Sequence, residues 1–75
     1  MKILELIPLH SNRQSFYGKA KVILQDDGAI QLQSYNTIVC EIDKDGYFWY
    51  TWNGKSNTTS RHIKEFKEQF KGDIR

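Results

Sequence analysis

The sequence has one cysteine, one proline and no apolar run of membrane-spanning length. A lone cysteine, Cys40, cannot close an intramolecular disulfide, which excludes the disulfide-stapled small scaffolds and makes a reducing cytoplasm the natural setting. No cluster of Cys and His has the spacing of a structural zinc site, and no cofactor motif is present. A membrane helix needs about 20 consecutive apolar residues, which the chain does not contain. A strong charge of one sign is also missing. The net charge of +2 argues against a polyanionic mimic of nucleic acid and is too weak to establish a nucleic-acid binder by itself. The opening "MKILELIPLH" is broken by Glu5 and Pro8 and is followed by no small-residue cleavage site, so it reads as a first strand and not as a signal peptide.

With 75 residues the chain makes one domain, and a domain near that size buries only about 60% of the surface its unfolded form exposes. Aromatic residues, at 13%, are plentiful enough to carry a core that few aliphatics could build alone.

Turn signals cut the chain into short β-prone runs. Residues Lys2 to Ile7 are apolar with little polar relief beyond Lys2 and Glu5, which predicts a central strand or one buried on both faces, ended by Pro8. In "FYGKAKVIL", Ala20, Val22 and Leu24 fall on one face with Lys19 and Lys21 on the other. Asp27-Gly28 predicts a hairpin into "AIQLQSY", where Ile30 and Leu32 point inward. "TIVCEI" follows, with Ile38, Cys40 and Ile42 expected on one face and Val39 and Glu41 on the other. "DKDG" is a second glycine-closed turn. "YFWYTW" then carries aromatics on both faces, which predicts cover on both sides, and Asn53-Gly54 is a further turn signal. Thr58, Thr59 and Ser60 are all competent N-caps for a helix over about 59–71, in which Ile63, Phe66 and Phe70 make one apolar stripe and Gly72 closes the C-terminus. The fold class expected is α+β: a four- to five-stranded antiparallel sheet within about 2–53, with one C-terminal helix packed on it.

Two candidate binding surfaces emerge. Lys64, Lys67 and Lys71, with Arg61, form a basic helix stripe, which reads as a phosphate-contacting face or as a solvated face whose lysine stems edge the apolar stripe. Tyr17, Tyr47 and Trp49, interleaved with Lys19 and Lys21, suit a stacking face for single strands, a protein partner or a homodimer, while Phe48 and Trp52 read as core. His62, beside Ile63, reads first as a residue that packs the helix onto the sheet or bonds locally; no nucleophile stands at a signature spacing from it, so the chain is read as not an enzyme.

The segments "SFYGKAKV", "SYNTIVCEID" and "TTSRHIKEF", in this order, resemble a family of small domains of unknown function encoded mostly by phages and prophages of Gram-positive bacteria. The likeness runs from about Leu6 to Phe70. It implies an origin in a mobile genetic element and residence in the host cytoplasm, and it supplies no catalytic residues. Cys40 stands where members usually carry a small residue, which implies a buried apolar position. The resulting expectation is an accessory interaction module that binds a host protein, with nucleic acid at the basic helix as the alternative.

Overall fold

The computed structural model describes residues 1–8, 18–54, 56–70 and the backbone of 73–74. Five antiparallel strands follow one another as β1 (Lys2–Glu5), β2 (Ala20–Leu24), β3 (Ile30–Ser34), β4 (Thr37–Ile42) and β5 (Tyr47–Tyr50). Helix α1 (Asn57–Phe70) comes next, and a two-residue strand β6 (Asp73–Ile74) then pairs in parallel with β5. Spatial order equals chain order, β1-β2-β3-β4-β5-β6. The α+β class and the antiparallel sheet are as expected; the parallel β6 is an addition the sequence did not signal.

Two of the hairpins are built alike. Gly28 N–H donates to the Gln25 carbonyl and Gly46 N–H to the Asp43 carbonyl, each closing a tight turn whose glycine lies at positive φ, +97° and +91°. A side-chain Cβ would be strained there, which explains why Asp-Gly occurs at both sites. Asp43 adds a local lock, since its Oδ1 accepts from the N–H groups of Asp45 and Tyr47, each at 3.0 Å. The β3–β4 turn has no glycine and instead holds Tyr35 at φ +56°.

One face of the sheet is dry. Residues directly opposite each other in a ladder share a face, and the register links Val22 to Leu32, Leu32 to Cys40 and Ile42 to Phe48. These residues join Leu6, Ala20, Val39, Ile63 and Phe66 in one core cluster beneath α1. Phe66 is fully buried and Ile63 nearly so, with Phe70 packed at the margin. Full burial of a side chain of this class stabilises by about 1.5–3 kcal/mol, so two or three helix residues carry most of the attachment.

Four expectations are corrected. β1 is not central: it is the sheet's end strand and all four of its residues are exposed. Its apolar composition imitated a buried strand, but a meander whose spatial order follows the chain leaves the first strand at an edge. In β4 the register slips between Leu32 and Gln33, so that Leu32 opposes Cys40 while Gln33 opposes Ile38 and Val39 is the extra residue of a bulge. Val39 and Cys40 therefore both enter the core, and Ile38 moves to the other face with Gln33. The helix begins earlier than expected, and its cap is Ser56, whose Oγ accepts from Thr59 N–H at 3.2 Å while its carbonyl takes the first helical bond from Ser60. Finally, the turn signalled by Asn53-Gly54 is not formed as such, and both residues lie in irregular backbone after β5. Gly54 lies so close to Trp52 that a Cβ would meet the indole at 2.6 Å, so glycine is required there for close approach as the chain turns toward the helix. Gly72, the expected helix terminator, lies outside the described residues.

Candidate functional site

The sheet has a second face, opposite α1, and the register assigns its residues. Ile3 opposes Ile23, Ile23 opposes Gln31, Gln31 opposes Glu41, and Glu41 opposes Trp49, making one row across five strands. A neighbouring row runs Glu5, Lys21, Gln33 and Ile38. Tyr47, two residues before Trp49, lies on the same face. Among the described residues no helix covers this surface.

The polar residues of the longer row are wired together. Gln25 Nε2 donates to Gln31 Oε1 at 2.8 Å, and Gln31 Nε2 donates to Glu41 Oε1 at 2.9 Å. Each amide is thereby fixed in orientation, and the chain of donors ends on a carboxylate beside the ring of Trp49. Tyr47 is exposed and Trp49 half-buried. At the opposite margin Glu5 of β1 is followed inward by Lys21 of β2, with Lys19 exposed two residues earlier. From β2 to β5 is three strand spacings, about 14 Å, so the lysines and the aromatic pair flank the amide row without touching each other.

The other candidates lie on the far side of the molecule. Arg61 and Lys64 are exposed on the outer surface of α1, but Lys67 is half-buried with its ammonium 4.9 Å from the centre of the Phe48 ring. That cation is engaged in packing the helix to β5. Glu68 shares the outer surface and dilutes its field. Tyr17 and Lys71 lie outside the described residues.

His62 is a helix–sheet residue with no exposed surface. Its Nδ1 lies 2.8 Å from Ser34 Oγ, which is itself 2.9 Å from Thr59 Oγ1, so one hydroxyl of β3 ties two turns of the helix to the sheet. The Tyr35 ring sits beside the imidazole, with centroids 6.0 Å apart. Further along, buried Glu65 accepts from Gln69 Nε2 at 2.9 Å, and Gln69 Nε2 also donates to the Ile7 carbonyl at 2.7 Å. Every buried side-chain nitrogen and oxygen among the described residues has a hydrogen-bond partner, as a stable interior polar seam requires. The buried roles of Ser34, Thr59 and Glu65 escaped the reading of the sequence, which took Thr59 only as a candidate cap. Thr59 and His62 do stand one helical turn before Ile63 and Phe66, and that periodicity was the available signal.

Cys40 is fully buried, and burial pushes its thiol up to about 12, with Lys67 pulling weakly the other way. It is an inert core residue.

The candidates thus separate into two groups. Lys19, Lys21, Tyr47 and Trp49 belong to the open sheet face; Arg61, His62, Lys64 and Lys67 belong to the helix layer, His62 inside it. A family model described as a family of unknown function, DUF8033, matches residues 4–75. The chain belongs to that family. The match takes in the second half of β1 and every later described element of the fold through β6. No curated protein and no solved structure matches the chain. No helix among the described residues is long and apolar enough to cross a membrane.

Proposed function

We propose that this chain is a non-enzymatic accessory protein of a phage or prophage that acts in the host cytoplasm by binding a host protein through its open sheet face. One observation carries the reading: the face opposite α1 joins an aromatic pair, Tyr47 and Trp49, to a prearranged row of amides ending on Glu41. Rings at one end supply apolar contact area with little rotamer entropy to lose. Oriented amides supply donors and acceptors already held in place, which lowers the ordering cost of binding. The acidic end of the row disfavours a polyanion, and the engagement of Lys67 with Phe48 weakens the helix stripe as a phosphate-binding surface. The attribution to a mobile element rests on the resemblance of the three sequence segments, and a takeover or counter-defence inhibitor would be in keeping with it. Among the described residues, the Ser34–His62 pair is buried and closed to a substrate.

The test is capture from host lysate with tagged wild-type protein and with a Tyr47→Ser/Trp49→Ser variant, each with and without nuclease. A protein retained by the wild type after nuclease and lost by the variant supports the reading. Recovery that depends on nucleic acid, and on Arg61 and Lys64, would replace it with the phosphate-binding alternative.

A further inference from the structure

We propose that Asn53 is a self-modification site, at which the backbone nitrogen of Gly54 attacks the Asn53 side-chain amide and converts the residue, through a cyclic imide, to aspartate and isoaspartate. The reaction needs a side-chain carbonyl one methylene from the backbone, a following peptide nitrogen that nothing shields or holds, and access for water. Asn53 and Gly54 supply all of these. Both residues are exposed, and both lie in irregular backbone between β5 and α1, outside any ladder or helical turn. Neither the Asn53 amide nor the Gly54 N–H makes a hydrogen bond to another described residue.

Glycine makes the pair reactive, and packing keeps the glycine. A Cβ on residue 54 would meet the Trp52 indole at 2.6 Å, and that ring packs against the core. The side chain whose absence lets the backbone pass the ring would otherwise flank the attacking nitrogen. Comparable sites elsewhere in the fold are closed. Gly28 and Gly46 follow Asp27 and Asp45, but their N–H groups are tied to the carbonyls of Gln25 and Asp43. Asn36 precedes Thr37, whose branched Cβ crowds its nitrogen and whose backbone is fixed in β4 opposite Ser34. Asn57 precedes Thr58 in the first turn of α1, where helical dihedrals hold the next nitrogen away from the side-chain carbonyl.

The co-reactants are hydroxide and water. Hydroxide takes the Gly54 amide proton, the bond from that nitrogen to Asn53 Cγ forms as the Cγ–Nδ2 bond breaks, and ammonia leaves with a proton returned from water. Water then opens the imide at either carbonyl. Opening at Cγ gives aspartate with the original main chain. Opening at the backbone carbonyl routes the main chain through Cγ and lengthens it by one methylene. Either product adds a carboxylate and lowers the net charge of +2 by one unit. The altered link carries the chain from Trp52 to Ser56, the cap of α1, so the joint between sheet and helix changes as the protein ages.

Peptide mapping by mass spectrometry reads the conversion in folded wild type held at mildly alkaline pH, beside a sample unfolded in guanidinium. An isoaspartyl methyltransferase scores the isoaspartate. The expected result is first-order conversion at Asn53 in the folded protein, rising with hydroxide concentration and within about tenfold of the unfolded rate. Asn36, Asn57, Asp27 and Asp45 should stay intact in the folded sample over the same period. Asn53→Gln, whose longer side chain must close a larger ring, should keep its charge. Conversion of folded Asn53 more than about tenfold slower than in guanidinium overturns the proposal, because the fold then protects the amide. So does conversion mainly at any of the other four positions, or an equal change of charge in Asn53→Gln.

Discussion

The two faces of the sheet are made from the same five strands and differ in almost everything else. Beneath α1 the contacts are apolar, the rings of Phe48 and Phe66 are buried, and the few polar groups are tied off within the seam of Ser34, Thr59 and His62. On the opposite face the row is apolar at its ends, Ile3 and Ile23 at one and Trp49 at the other, with the amide chain of Gln25, Gln31 and Glu41 between them. The lesson is one of division of labour. A domain of 75 residues has little surface to bury, so a single helix completes one face, and the other keeps rings and oriented amides that the core does not need.

That contrast can be broken most sharply at Phe66. Phe66→Ala leaves a cavity under the helix and should destabilise by about 3–5 kcal/mol, read as a lower urea midpoint. Next is the polar seam: Ser34→Ala strips a partner from both His62 and Thr59 within the buried layer and should cost about 1–3 kcal/mol in the same assay. Gly54→Ala should cost a comparable amount, about 1–3 kcal/mol, because its Cβ collides with the Trp52 ring; a thermal melt would record the loss. On the open face Tyr47→Ser should move stability by only about 0.5 kcal/mol while removing partner capture, so binding and stability separate there as they cannot at Phe66.

The last effect, at Cys40, is absent at neutral pH and emerges only in alkali. Burial holds its thiol up at about 12 in the fold, well above the ordinary thiol range near 9.0, so the folded state holds the proton more tightly than the unfolded state. The stability this contributes is complete below pH 9 and is lost as pH rises toward 12. Urea midpoints taken across that window should fall more steeply for the wild type than for Cys40→Ala, and a maleimide should label the native thiol only as fast as the protein opens.

Much of this architecture could be read in the sequence, because local chemistry dictated it. Asp27-Gly28 and Asp45-Gly46 specify turns through the backbone freedom of glycine, and the spacing of Ile63, Phe66 and Phe70 specifies the face of the helix. What escaped was decided by tertiary context. Strand position in the sheet is not a local property, so the apolar run of β1 looked central although it forms an edge. The bulge at Val39 depends on pairing with β3, and without that register the alternation of "TIVCEI" assigned Ile38 and Val39 to the wrong faces. The same limit applied to the candidate site. Tyr47, Trp49, Lys19 and Lys21 could each be picked out by residue type, but only the ladder places them on one surface and sets the basic helix behind it. Gln31 and Glu41 were legible as outward-facing residues, and their hydrogen bond required knowing that they stand directly opposite.

The most direct test of the account compares the two faces in one capture experiment on nuclease-treated host lysate. Tyr47→Ser/Trp49→Ser and Arg61→Glu/Lys64→Glu would be run beside the wild type, all confirmed as folded. The account predicts that the helix variant retains the host protein and the sheet variant loses it. Loss of the partner from the helix variant, with full retention by the sheet variant, would contradict it.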